Sequence, residues 1–356
     1  SSGRNSGVLH AGFYYNADSL KAKFTRIGNK ELKDFCKTHN LPLNENGKVV
    51  VAQSASEVAG IDELARRGSL NGVDVSIIDE QTLKKLEPNA FTIEKALHSP
   101  TTATVDPAAI TQKLQEVLQH KGVEFFLNEG YARKLKEDTI ESTQERTFRS
   151  RCIINAAGLY ADKIAKDYGF SQDYTIIPFK GVYLKYTNKD KPVRMNIYPV
   201  PNLKNPFLGV HFTVTADNTV KIGPTSIPAF WRENYKGLKH FRLNELLPII
   251  SWESRLFLSN AFGFRKLALE EIKKYRKSHF VKLATNMVKQ IDKSGFREWS
   301  TPGIRAQLLN QRNSELVQDF VVEGDNASIH VLNAVSPAFT SAFPFGRWVV
   351  EHYVRS

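Results

Sequence analysis

The stretch from residue 106 to residue 168 constrains the fold most, because it sets two helix–strand units close together in one short run of chain. Residues 106–120 (DPAAITQKLQEVLQH) carry an acidic cap, a proline in the first turn and apolar side chains at Ile110, Leu114, Val117 and Leu118, one face of a helix. Gly122 ends that pattern, and 123–127 (VEFFL) reads as a strand. Residues 151–156 (RCIINA) read as a second, buried strand whose Asn-Ala-Ala-Gly end opens a helix over 159–168. Helices alternating with apolar strands cover the faces of a sheet, so the chain belongs to the α/β (α+β) class, a class that binds nucleotides at one sheet edge.

The flanks extend this pattern. Residues 48–53 read as a buried strand, 56–67 as a helix, 73–78 as a strand and 79–86 as a short capped helix before Pro88. From 175 to 223 the sequence is β-rich and broken by Pro and Gly; strands at 320–322 and 328–332 precede a last helix over 336–353. With 356 residues, the order implies two interleaved domains, each with its own core. Two cysteines, Cys36 and Cys152, exclude a disulfide scaffold and a Cys-built zinc or iron–sulfur centre, and fit a reducing compartment. No metal site is expected, and no apolar run reaches the ~18 residues of a membrane span.

Charge is concentrated. The formal net charge is +12, and residues 232–293 hold 14 Lys or Arg against 6 Asp or Glu. Within them, 270–291 places Ile272, Tyr275, Phe280, Leu283, Met287, Val288 and Ile291 near helical spacing. The plain reading is one helix docked by its apolar stripe with solvated lysines; the sharper one is a helix on an anionic membrane surface. Nucleic acid is not expected as a partner, because the aromatics are not interleaved with the basic residues in any recognisable module.

Four segments carry more Gly, Asn, Ser and paired polar groups than packing needs. In 2–15 (SGRNSGVLHAGFYY), Gly3, Gly7 and Gly12 admit close backbone approach, while Arg4, Asn5, Ser6 and His10 supply donors. In 153–160 (IINAAGLY), Asn155, Ala156 and Gly158 form the small-residue turn between strand and helix. The β-rich run 178–213 contributes Lys180, Tyr183, Tyr198 and His211, which strands can aim into one pocket, although a lone strand histidine is more often structural. In the last third, Arg305 in GIRAQ is a candidate carboxylate fork, and Asn333, Ser336 and Pro337 open the final helix toward an anion or ring.

Together these segments resemble the FAD-dependent L-2-hydroxyglutarate dehydrogenases (oxidases), within the D-amino-acid-oxidase-like flavoproteins. The resemblance runs from RNSGVLHAGFYYNADSLKAK (4–23) through VDPAAI (105–110), NAAGLYADKIA (155–165), YPVPNLKNPFLGVHFT (198–213) and GIRAQL (303–308) to FVVEGD and HVLNAVSPAFTSA (330–342). It implies a Rossmann-like FAD domain built from 1–40, 106–175 and 301–356, interleaved with a β-sheet substrate domain from 41–105 and 176–300. Gly3, Arg4, Asn5, Ser6, Gly7, Val8, His10, Asn155, Ala156, Gly158, Asn333, Ser336, Pro337 and Thr340 are the residues it places around FAD, with Asp106 and Pro107 shaping that domain. One departure is large: no two glycines here are separated by a single residue, so the G-x-G-x-x-G fingerprint of the first βαβ unit is missing. The chain therefore reads as N-terminally truncated, with weakened hold on FAD. Val182, where many relatives carry an acidic residue, is a smaller departure.

The activity implied is oxidation of L-2-hydroxyglutarate to 2-oxoglutarate. A hydride leaves the hydroxyl-bearing carbon for the flavin, a base takes the hydroxyl proton, and cations neutralise two carboxylates. His211 is the expected base with His10 second; Arg305 and Lys180 are the expected clamp, and Tyr198 and Tyr183 orient the substrate. Electrons then pass to a quinone or oxygen. A cytoplasmic protein is expected, peripheral on the inner face of a membrane and mitochondrial if eukaryotic. The alternatives are a flavin oxidase of another small acid (an amino acid or glycerol phosphate), a basic binding protein, or an inactive remnant.

Overall fold

The computed structural model describes residues 2–201 and 208–354. Eight strands form its largest sheet, in the order Phe296–Trp299, Leu184–Tyr186, Val220–Gly223, His211–Val214, Asn196–Pro199, Lys48–Val51, Lys95–Ser99 and Ser76–Asp79. Neighbours are antiparallel except Asn196–Pro199 and Lys48–Val51, which run parallel. The helices, in chain order, are α1 (Leu20–Thr38), α2 (Ala55–Leu70), α3 (Glu80–Leu86), α4 (Pro107–His120), α5 (Ala161–Asp167), α6 (Leu243–Ser259), α7 (Phe264–Lys273), α8 (Lys277–Thr285) and α9 (Ala338–Val349).

Strand alternation sorts the large sheet into two faces. Val49, Val51, Ile197, Phe212 and Ile222 join Phe280, Val281 and Ala284 of α8 in one core. Val50, Leu97 and Tyr198 point the other way, onto Ala11, Phe13 and Tyr14 and onto Ile61 and Leu64 of α2. A second sheet pairs Tyr174–Gly181 with Gly303–Asn310 in antiparallel register, flanked by Ile227–Pro228 and Glu315–Leu316. A third sets Ile153–Asn155 parallel to Ser328–Val331, which pairs with Val322–Gly324. Smaller sheets join Val8–Leu9, Ala103–Val105 and Leu43–Asn44, and Tyr131–Lys136, Thr139–Ser142 and Thr147–Arg149.

Helix α4 forms as its sequence dictates: Asp106 accepts hydrogen bonds from the Ala108 and Ala109 N–H groups at 2.8 and 3.2 Å. Helix α1 begins where Ser19 and the carboxylate of Asp319 cap it, the latter taking the Leu20 and Lys21 N–H groups at 2.7 and 3.0 Å. Its Gly28 lies on the backbone of α9, and a Cβ there would strike the Thr340 carbonyl oxygen.

Three expectations are corrected. Residues 123–127 form no strand: Ile153–Asn155 is the edge of its sheet among the described residues, so VEFFL has no ladder to join, and Phe126 packs edge-on against Phe148 instead. The strand at 153–155 is not buried on both faces either, since Ile154 is 48% exposed. The single helix over 270–291 is two, α7 and α8, broken after Lys273. Phe264 of α7 packs on Ile177 and Phe179 of the second sheet, whereas Phe280 of α8 packs on the large sheet, and a straight helix cannot serve both cores. Ile272 and Tyr275, expected in the apolar stripe, are exposed.

A buried ion pair joins α5 to the second sheet. Asp162 takes Arg232 bidentately at 2.6 and 2.8 Å and accepts from the Ile176 N–H at 3.0 Å. Removing one partner leaves an uncompensated buried charge, so Asp162→Ala is expected to lower unfolding free energy by about 3–5 kcal/mol, with Asp162→Ala/Arg232→Met recovering most of it. Urea midpoints check this; a single variant within about 1 kcal/mol of wild type would show the pair to be dispensable.

Candidate functional site

The site lies where the second face of the large sheet meets the segment carrying His10. Ile197 pairs with Phe212, and that register sets Tyr198 directly opposite His211. The two rings stack, with centroids 3.6 Å apart and planes 17° from parallel. His211 Nδ1 is 2.8 Å from the Gly209 carbonyl oxygen. A carbonyl only accepts, so Nδ1 carries the proton and Nε2 presents its lone pair. Nε2 is buried without a hydrogen-bond partner, as is Nδ1 of His10. Burial pushes His211 down to about 3, helped by the charges of Lys48, Arg305 and Lys221. Burial likewise lowers His10 well below the usual imidazole value, with Lys48 and His211 adding to the shift. Both rings are neutral at pH 7.

His10 is held by its backbone: its N–H donates to Thr340 Oγ1 at 3.2 Å, and its carbonyl accepts from Asn29 at 3.2 Å. The Thr340 hydroxyl in turn donates to the Val8 carbonyl at 3.4 Å. Ser6 lies on the other flank, where its carbonyl takes Lys221 Nζ at 3.1 Å and its hydroxyl bonds to Tyr183. Lys221 also sits 4.7 Å from the centre of the Tyr183 ring. Asn5 closes a turn by accepting from the Gly7 N–H at 2.8 Å. Gly7 has φ +77, and a Cβ would strike the Val105 carbonyl oxygen. Gly3 packs on Ala108 of α4, and Arg4 stacks 4.4 Å over the Tyr235 ring.

Arg305 and Lys180 are not brought together. Phe179 pairs with Arg305 and Lys180 with Ile304, so alternation sends the two cations to opposite faces of their sheet. Arg305 donates to the Thr225 carbonyl and Ser226 hydroxyl, both at 3.1 Å, and its charge reaches Tyr183 and His211. Lys180 donates to Asn234 at 3.0 Å, and burial lowers its ammonium from the usual lysine value. Asn155 spends its amide on the Ala161 carbonyl and His330, and Asn333 spends its own on the Val317 and Asp319 carbonyls. Those two amides fix strand-to-helix turns. Ala156 and Gly158 are exposed, with open space over Gly158 at φ +56. Ser336 is exposed and Pro337 begins α9, whose N-terminus no side chain caps.

Sequence reasoning missed one residue at the centre. Lys48 is fully buried, its Nζ has no hydrogen-bond partner, and it lies 4.0 Å from the Tyr198 ring centre. Its apolar neighbourhood, KVVVA, reads as core strand and hid it. Residues 202–207 of the block leading to His211 lie outside the described residues. A cavity of about 540 Å³ is lined by Asn89, Asp190, Pro192, Gln290, Ile291 and Asp292, none of them in this site.

The model of the FAD dependent oxidoreductase family matches residues 1–352. The chain belongs to that family. Among its relatives, the L-2-hydroxyglutarate dehydrogenase of Indibacter alkaliphilus is 37% identical over 98% of this chain and 88% of its own length. The Escherichia coli K12 and human mitochondrial enzymes of the same name are each 32% identical, over 98% of this chain and 82% and 79% of theirs. Among solved structures, the FAD-bound L-alpha-glycerophosphate oxidase of Mycoplasma pneumoniae superposes with a TM-score of 0.75 at 20% identity, covering 98% of this chain and 84% of its own. Glycine oxidase of Geobacillus kaustophilus gives 0.66 at 14%, with 98% and 83% covered. These two share the fold.

This oxidoreductase uses FAD, and its residues fit the group. The buried, unpartnered His10 nitrogen and the uncapped start of α9 offer donors and a positive helix end to an electron-rich ring. The exposed, side-chain-poor turn 156–158 leaves room for a phosphate or sugar.

Neutral buried histidines carry a stability signature. His211 binds its proton near pH 3 folded but near 6.5 unfolded, so stability is fully present above about 6.5 and falls with acidification below it. At pH 5 His211 alone is expected to cost about 2 kcal/mol relative to pH 7. Denaturant midpoints across pH 5–7 should fall less steeply in His211→Gln; equal slopes would refute the assignment.

Proposed function

We propose that this oxidoreductase converts L-2-hydroxyglutarate to 2-oxoglutarate. The observation that carries the reading is His211: a neutral imidazole, its tautomer fixed by Gly209, with a buried lone pair on Nε2. That is the group needed to take a hydroxyl proton at neutral pH. The shared name of relatives at 30–37% identity supplies the substrate. Bound FAD supplies the acceptor for the hydride from the hydroxyl-bearing carbon.

In this reading, residues 1–40, 106–175 and 301–356 form the flavin-binding part, and 41–105 and 176–300 the substrate part. Gly3–His10, the turn from Asn155 to Gly158 and the start of α9 with Ser336, Pro337 and Thr340 hold the cofactor. Asn155 and Asn333 contribute by rigid turns rather than by direct contact. Arg305 holds one carboxylate of the substrate, His211 takes the proton, and Tyr183 and Tyr198 position the substrate beneath it. His10 serves the flavin side.

His211→Ala is expected to slow anaerobic flavin bleaching by substrate ~100- to 10,000-fold while flavin content and reoxidation hold. Stopped-flow absorbance measures each step; a variant reduced at the wild-type rate would move the base to His10.

Electrons leave to a quinone or oxygen, and we place that exchange at a membrane surface. The contact proposed is peripheral; no helix among the described residues is long and apolar enough to cross a membrane. The support is the surface of α6 and α7, where Leu247, Leu258, Leu269 and Ile272 are exposed among Arg255, Arg265, Lys266 and Lys273. Exposed apolar side chains on helices that also carry basic ones suit contact with an anionic lipid surface. Sedimentation with anionic vesicles should retain the protein at low salt and release it at high salt. No retention at low salt would leave these helices as ordinary surface.

A further inference from the structure

Lys48 stands at the centre of the site. It projects from Lys48–Val51 on the same face as Tyr198 and His211, since Asn196 pairs with Lys48 and Tyr198 lies two residues on. Its Nζ stands 4.0 Å from the ring centre of Tyr198, 5.1 Å from Tyr14 and 5.5 Å from Phe13. Three aromatic faces stabilise a cation there without neutralising it. No hydrogen-bond partner reaches Nζ, although the residue is fully buried. A lysine placed only for packing keeps its head in water along a buried stem, and this one does not. Lys180 cannot take the role, because it faces away from Arg305 and is engaged by Asn234.

We infer that Lys48 is a substrate-binding, specificity-determining residue whose caged Nζ receives one carboxylate of a dicarboxylate substrate, opposite the carboxylate held by Arg305. This rests on the reading of the enzyme as a 2-hydroxy-diacid oxidoreductase and adds the group that selects a diacid over a monoacid. Buried among rings, the free amine sits at about 7, so an arriving carboxylate both pairs with it and favours its protonated form. Pairing also offsets the positive charge that bears on His10 and His211, which strengthens the base only when substrate is seated.

The test uses the FAD-loaded enzyme, Lys48→Met, and glutarate as a diacid that cannot be oxidised. Wild type should gain melting temperature with glutarate and not with valerate, its monoacid counterpart. Lys48→Met removes the desolvated amine and keeps an unbranched apolar chain one atom shorter, so its own melting temperature should equal or exceed wild type while the glutarate shift disappears. Its KM for L-2-hydroxyglutarate should rise roughly 100- to 1,000-fold, and its preference for that acid over 2-hydroxyvalerate should fall by a similar factor. A Lys48→Met enzyme that is destabilised yet keeps the glutarate shift and the diacid preference would make Lys48 structural and overturn the inference. Should the variant not fold, the structure of wild type with glutarate decides: a carboxylate oxygen about 3 Å from Nζ is expected, and glutarate bound without that contact overturns it. Wild type that neither oxidises the hydroxy-diacid nor responds to glutarate would sink the functional reading itself, a different outcome.

Discussion

The register of three strands governs this molecule. With Ile197 opposite Phe212 and Val50 opposite Tyr198, every second side chain of 48–51, 196–199 and 211–214 must enter the apolar core over α8. The intervening ones, Lys48, Tyr198 and His211, must then enter the layer beneath residues 10–14. A slip of one residue would turn Lys48 and His211 toward α8 and Val49 and Phe212 into the layer beneath residues 10–14, so the core and the site enforce one another. Lys48, Tyr198 and His211 inherit the rigidity of a packed sheet, whereas His10 and Tyr183 join them from the adjoining loops.

That arrangement carries a thermodynamic load. Two imidazoles and an amine sit buried with nitrogens that no protein group satisfies, each costing desolvation that a leucine in its place would avoid. The surrounding aromatic rings offset part of it through cation–π contact and stacking. On the proposed reading, what remains is stored as readiness: an arriving anion would meet a cation already desolvated and fixed.

Much of this was legible in the chain. Helix α4, with Asp106 and Pro107, and the strand of 48–51 follow from local pattern alone, and the resemblance of the RNSGVLHAG and VHFT blocks located both histidines. Failures came where meaning depends on a distant partner. VEFFL has strand composition but no neighbour to pair with. One periodic stretch serves two cores and so breaks into α7 and α8. Lys180 and Arg305 look interchangeable in sequence, and only strand pairing shows them back to back. Lys48 stayed hidden because one charged residue before Val-Val-Val looks like the solvent end of a strand.

The contact of Gly28 with Thr340 has a further meaning for inherited variation. Thr340 holds the backbone of His10, and Gly28 is the point at which α1 rests on that same turn of α9. A side chain introduced at Gly28 would part the two helices and carry Thr340, and with it the histidine, out of line. In a population survey such a change, in the middle of an unremarkable amphipathic helix, would be scored as benign by its distance in sequence from any reactive group. On the proposed reading, its bearer would nonetheless show the biochemical defect of a displaced His10.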